Sequence, residues 1–236
     1  MLLAGWYVPG TNGGGVVLLP GAGSTRDDAL DQAVVVADAG YGALLVDPRG
    51  HGESGGRAMD LGWYGDGDVD IEAAIDFLVG EPDVDDDRVG VVGLSMGDEQ
   101  AIGAAADDPR ISAVVAEGAT GRSAADKAWY SDAYGLRGTL QEGVEWLQTR
   151  VTDLRTDASP PTSLSDAVAT ADETPFLLVA AGLVDDEGRV AERLHGEAPD
   201  RVSVWEAPDA AHVRCLEQDP EGWREHVVGF LDEHLG

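Results

Sequence analysis

Residues 93–97, Gly-Leu-Ser-Met-Gly, fit the pattern G-x-S-x-G. A serine in such a pattern becomes a nucleophile when a neighbouring base takes its proton. With 32 glycines among 236 residues, the pattern alone is weak evidence. Its surroundings strengthen it. RVGVVGL at 88–94 reads as a strand and MGDEQAIGAAA at 96–106 is compatible with a helix. Ser95 therefore falls at the strand-to-helix turn that a nucleophile elbow requires. Glycines at 93 and 97 suit a tight turn around a strained serine. The turn also places the hydroxyl at a helix N-terminus, where backbone N–H groups favour developing negative charge.

Five histidines could supply the base. His226 and His234 lie in the last helical pattern, where a solvated face suits them. His195 precedes Gly196 and reads as part of a helix end. His51 lies in the glycine-rich turn DPRGHGES. His212, in APDAAHVRCL, follows the last strand run and is the expected base. Loops at the carboxyl edge of a parallel sheet are where such folds gather ligands. A base of this kind needs a carboxylate to hold its tautomer. LVDDEG at 183–188 offers Asp185, Asp186 and Glu187. Asp185, first after the strand run, is the expected partner, with Asp186 next or serving as a helix cap. The order Ser95, Asp185, His212 is that of the elbow class.

The oxyanion of a tetrahedral intermediate needs donors. The N–H of Met96, next after the nucleophile, is one. The loop LLPGAGS supplies the second, with Ala22 as the expected donor beside Gly21. Asp98 stands where a small residue would be expected. A charge there favours the helix N-terminus, opposes an oxyanion and supports a histidinium.

Other segments must position these residues. Continuous apolar runs at 15–20, 43–47, 88–94, 111–118, 175–182 and 201–207 read as strands covered on both faces. Helical patterns occupy 25–39, 66–79, 96–107, 186–195 and 221–235. Such alternation predicts a mainly parallel, doubly wound α/β sheet with helices on both faces. The alternation breaks between Gly118 and Pro175, a span too long for a simple connection. We read 121–172 as an inserted helical cap, with a proline-rich return from 157 and a helix beginning near Ser163. Residues 1–120 and 173–236 then form the core. Trp129, Tyr130, Tyr134 and Trp146 are candidates to line a pocket under the cap, or else to form the cap's own core. No basic cluster in the sequence suggests a phosphate or polyanionic substrate, for which Arg122 and Arg137 are only scattered candidates.

Charge bounds the partners. There are 45 acidic and 15 basic side chains, for a formal net charge of −30, and Lys127 is the sole lysine. The acids are dispersed rather than gathered in a tail. This pattern predicts a halophilic protein, since molar salt cuts the screening length to about 3 Å and removes self-repulsion. It disfavours nucleic acid, whose backbone requires clustered cations. No run approaches the ~18 apolar residues of a membrane span. The apolar start Met1-Leu2-Leu3 is too short for a secretion signal. The single cysteine, Cys215, fits a reducing compartment and reads as a buried structural thiol. A cytoplasmic location is expected. No His pair or His/Cys cluster suggests a metal, and no cofactor is expected.

Taken together, LLPGAGSTRDD, DPRGHGESGG, DRVGVVGLSMG, PFLLVAAGLVDD, DAAHVRC and WREHVVGFLDEHL resemble the α/β-hydrolase superfamily across nearly the whole chain. The turn at 47–54 is similar to that of the serine aminopeptidase, monoacylglycerol lipase and carboxylesterase-like branch. In that branch the turn is structural, so His51 is not carried over as catalytic. The chain departs from the family in having Pro20-Gly21 for His-Gly, in Asp98, and in its N-terminal strands, where the sheet is expected to be shortened or the start truncated. The resemblance implies a serine hydrolase, without cofactor, acting on a small ester-like molecule through an acyl-enzyme on Ser95. Two alternatives stand beside it: a peptidase- or amidase-like hydrolase on the same fold, and a non-catalytic binder that retains the pocket.

Overall fold

The computed structural model describes residues 1–58, 66–155 and 161–236. Most of the expected proline-rich return lies outside them. Seven strands form one sheet: β1 (Gly5–Val8), β2 (Gly13–Leu19), β3 (Gly42–Val46), β4 (Val84–Leu94), β5 (Ile111–Glu117), β6 (Phe176–Ala181) and β7 (Val202–Ala207). Their order is β1-β3-β2-β4-β5-β6-β7. All neighbours pair in parallel except β1, which runs antiparallel along β3 at the edge. This is an α/β-hydrolase sheet. The short opening strand is the antiparallel edge strand β1.

The six expected strands match β2–β7 with ends shifted by a few residues. Their continuous apolar character follows from cover on both faces. Val89 and Val91 of β4 face one cluster, and Val92 and Leu94 face the other. The first cluster packs under α2 (Asp66–Leu78), α3 (Met96–Asp107), α6 (Leu164–Thr170) and α7 (Asp185–Glu197). The second packs under α1 (Leu30–Asp38) and the C-terminal segments α8 (Cys215–Gln218), α9 (Pro220–Trp223) and α10 (Gly229–Leu235). A turn of π-helix, Arg224–Val228, joins the last two.

The segment expected as a cap divides. Two helices, α4 (Tyr130–Tyr134) and α5 (Leu136–Asp153), lie after β5. The third, α6, begins after Ser163 as expected. The Ser163 hydroxyl accepts the Asp166 N–H at 3.1 Å, an N-cap that fixes its start. However, Leu164, Ala167 and Val168 of α6 are buried in the first core cluster. This helix packs as part of the core.

The turn at 47–54 is a hydrogen-bonded latch. Asp47 accepts the Arg26 guanidinium at 2.6 Å and the Arg26 and Glu53 N–H groups at 2.9 Å each. Ser54 Oγ donates to Asp47 O and accepts Ala4 N–H, tying the edge strand to the turn. His51 Nδ1 contacts Arg49 O at 3.0 Å. Among the described residues, no helix is long and apolar enough to cross a membrane.

Candidate active site

Between β2 and β4 the strand order reverses, and the loops at their carboxyl ends open a crevice there. Ser95 stands at the end of β4 with φ 53 and ψ −122. A non-glycine residue in that region is strained, at a cost of order 1–3 kcal/mol. Among the described residues only Val213, directly after His212, shares a positive φ without being glycine. Strain thus falls on the expected nucleophile and on the residue next to the expected base. The flanking glycines of the elbow are steric necessities. A Cβ on Gly97 would lie 2.6 Å from the Leu19 and Pro20 carbonyl oxygens, and one on Gly93 would lie 2.4 Å from Asp98 Cα.

His212 Nε2 lies 2.9 Å from Ser95 Oγ, and His212 Nδ1 lies 2.6 Å from Glu187 Oε1. The two ring nitrogens thus link a hydroxyl to a carboxylate across residues far apart in sequence. Glu187 Oε2 accepts the Ala181 N–H at 2.8 Å, and the side chain is 1% exposed. Its hydrogen bond to His212 is the largest cause holding the imidazole pKa above its ordinary value. Burial opposes it, and Glu117 and Glu99 add attraction.

The carboxylate meeting His212 is therefore Glu187 rather than Asp185. Asp185, the first residue of α7, is exposed. It lines a cleft with Arg189, Glu192 and Glu206 that includes neither Ser95 nor His212. The reason is helical phase. Glu187 shares the inward face with Val190, Ala191 and Leu194, all buried, and residue 185 does not. That signal was present in the sequence: one acid occupies the apolar stripe of an otherwise charged helix.

Ala22 and Met96 stand with Ser95 in one pocket of about 240 Å³, lined also by Glu99, Thr120, Lys127 and Glu145. Met96 opens α3, where helix geometry leaves the first N–H without an intrahelical acceptor. Gly21 brings the first loop against the nucleophile, since a Cβ there would lie 3.3 Å from Ser95 Cβ. Pro20, whose carbonyl faces Gly97, leaves this approach intact.

The four aromatics expected to line the pocket do not line it. Trp129, Tyr130 and Tyr134 pack on one another, with ring centroids 4.7–6.1 Å apart. Tyr130 is buried, and both tyrosine hydroxyls donate to Asp186 at the start of α7. The trio joins α4 to the core. Trp146 is 57% exposed beneath the Arg150 guanidinium. In their place the pocket carries Glu99, Thr120, Lys127 and Glu145 beside Ala22 and Met96. Glu99 accepts the Gly121 N–H at 2.8 Å and the Thr120 N–H at 3.2 Å; burial nevertheless raises its pKa. Lys127 pairs with Glu145 at 3.3 Å.

Asp98 is fully buried, and neither carboxyl oxygen has a hydrogen-bond partner among the described residues. Burial, then repulsion from Glu99, Glu187 and Glu117, pushes its pKa well above the usual carboxylate range. Burial without a partner thus works against the charge that the position on the helix suggested.

Several contributors escaped the sequence reading. Glu117 O accepts the Ser95 N–H at 2.8 Å, and its buried carboxylate accepts Trp223 Nε1–H and Cys215 N–H at 3.0 and 3.1 Å. This ties the elbow to the helices that follow His212. Burial raises the Glu117 carboxyl pKa and the thiol pKa of Cys215, which is buried as expected. Gly118, with φ 98, leaves space for the imidazole, because a Cβ there would lie 2.9 Å from His212 Cε1. A strand end carrying Glu-Gly was its only trace in the sequence.

The model of the X-Pro dipeptidyl-peptidase (S15) family matches residues 18–217. The chain belongs to that family, within the α/β-hydrolase superfamily that its motifs resembled. An uncharacterized protein of Mycobacterium tuberculosis is 35% identical over 118 residues, 49% of this chain and 41% of that protein. The 2,6-dihydropseudooxynicotine hydrolase of Paenarthrobacter nicotinovorans is 29% identical over 103 residues, 44% of this chain and 27% of that one. The chain spans less than half the length of these curated relatives. Among solved structures, the esterase Pf2001 of Pyrococcus furiosus superposes with a TM-score of 0.71 at 27% identity, covering 99% of this chain and 88% of that chain.

Proposed function

We propose that the protein is a serine hydrolase that cleaves a small ester-like substrate through an acyl-enzyme. The observation that carries this reading is the unbroken chain Ser95 Oγ, His212, Glu187, with contacts of 2.9 and 2.6 Å. Ser95 Oγ attacks the carbonyl carbon, and His212 Nε2 takes the hydroxyl proton and returns it to the leaving oxygen. Water then attacks the acyl-enzyme by the same route. Glu187 is the positioning carboxylate: it fixes the tautomer with Nδ1–H facing it and stabilises the imidazolium. The N–H groups of Ala22 and Met96 receive the oxyanion. A small substrate suits a pocket of about 240 Å³. The match to an esterase structure favours the ester bond.

Amide hydrolysis is the second reading, favoured by the peptidase family to which the chain belongs. Short-chain p-nitrophenyl esters and aminoacyl anilides, assayed side by side, separate the two. The net charge of −30 supports function in concentrated salt, and a lone buried thiol is compatible with the cytoplasm. The decisive assay is ester turnover in molar potassium chloride beside a folded Ser95→Ala variant. Loss of turnover in the variant supports the reading. Equal background hydrolysis, with no labelling by a fluorophosphonate probe, points to a non-catalytic binder.

A further inference from the structure

A surface helix ordinarily turns its apolar stripe to the core; α5 does the reverse. Its inward side is largely polar. Glu142 accepts the Ser131 N–H at 2.7 Å, and Glu145 pairs with Lys127. Its outward side carries Leu136, Leu140, Val144, Leu147, Val151 and Leu154, each 43–86% exposed. From Leu140 onward the spacing alternates four and three residues, the a/d rhythm of a helix-to-helix seam.

We propose that this face pairs with α5 of a second copy of the chain, about a two-fold axis near Leu147, the middle of the stripe. Three observations select that occupant. The first is area. A specific interface removes about 800 Å² from each partner. An apolar stripe along an 18-residue helix, about 27 Å long, with Trp146 beside it, is of that order. Isolated monomers seldom leave such a patch open. The second is charge. Acids outnumber bases threefold in this chain, so two copies repel over most of their surfaces. The positions flanking the seam, Gln141, Gly143, Gln148, Arg150 and Arg155, include no acid. An anionic bilayer, by contrast, would face the repulsion of the whole chain. The third is Gly143. A Cβ there meets nothing within 4 Å, so the chain's own packing does not require glycine in mid-helix, where it costs about 1 kcal/mol. Close approach of a partner helix does. Glu145 on the same helix walls the pocket at Ser95, so pairing also steadies one side of the site.

Sedimentation in molar potassium chloride, at concentrations up to tens of micromolar, tests the proposal. Wild type is expected at twice the mass of one chain. The double variant Leu140→Ser, Leu147→Ser is expected at the mass of one chain with an unchanged circular dichroism spectrum, the dissociation constant rising by about 100-fold or more. Leu147→Cys should form an interchain disulfide under mild oxidation, and Leu183→Cys, more exposed but elsewhere, should not. A single-chain wild type overturns the proposal, as does a double variant that still pairs. Flotation of single-chain wild type with phosphatidylcholine vesicles also overturns it and assigns the face to lipid. If the double variant does not fold, absence of the Leu147→Cys dimer overturns it instead.

Discussion

Glu187 Oε1 and His212 Nδ1 meet at 2.6 Å, although 25 residues separate them and two other acids stand closer to the end of β6. The contact makes the third residue of α7, not the first, the group that holds the imidazole. Replacing Glu187 by Gln keeps the shape and removes the charge that stabilises an imidazolium. If the proposed roles hold, kcat/KM on p-nitrophenyl acetate should fall by roughly 10²–10⁴-fold, as in triads whose carboxylate is neutralised. Asp185→Asn should remain within about twofold of wild type, since a surface substitution away from the site changes little. The reverse ranking would return the role to Asp185.

The same hydrogen bond sets the pH dependence. Glu187 raises the His212 pKa above the ordinary value of 6.5. In the proposed mechanism His212 must be neutral to accept the Ser95 proton, so kcat/KM should fall on the acid side with an inflection above 6.5. In Glu187→Gln the largest upward cause is gone, and the inflection of the residual activity should move to lower pH. For stability the sign is opposite. A histidine whose folded pKa is raised stabilises the fold fully below its unfolded value, and that contribution disappears as pH rises through the folded value. The side chain is 45% exposed, so solvent screening keeps the stability effect small and the rate profile is the measurement to make.

Asp98 predicts a stability profile of its own. Its folded pKa is raised by burial, so folding favours the protonated acid, while the unfolded side chain releases its proton above about 3.9. As pH rises beyond that value the folded state loses stability, by at most about 1.4 kcal/mol per pH unit from this group, until the folded pKa is passed. Asp98→Asn cannot ionise. Its melting temperature relative to wild type should climb between pH 4 and pH 8. A constant difference across that range would show that Asp98 is charged in the fold or has a partner.

Most of the sheet was legible because parallel strands covered on both faces declare themselves as unbroken apolar runs. GVVLLP, ALLVD and RVGVVGL could hardly be read otherwise. Ser95 and His212 were legible because each falls just past such a run. Glu187 was obscured by its neighbours. Three consecutive acids are equivalent in composition, and only the phase set by Val190 and Leu194 separates them. The aromatics misled because bulk at a cap suggests a binding wall, whereas two of their hydroxyls are tied to Asp186. Asp98 was read as charged because position on a helix is visible in sequence and enclosure by the surrounding strands is not.

Gly118 gives the sharpest steric prediction. It sits one residue past β5 with φ 98, its N–H donating to Val179 O at 3.1 Å, so the backbone is held from the neighbouring strand. A Cβ at this position would press within 2.9 Å of His212 Cε1 and 3.1 Å of Val213 Cγ1. The backbone cannot yield without breaking the strand pairing, so the imidazole must move. A displacement of about 1 Å between reacting groups can cost on the order of 10²-fold in rate. We expect Gly118→Ala to lose activity on that scale. The left-handed backbone conformation adds a stability cost of about 1–2 kcal/mol. Rapid acylation of Ser95 in Gly118→Ala by a fluorophosphonate, at the wild-type rate, would show that the imidazole tolerates the methyl group and that Gly118 serves the turn alone.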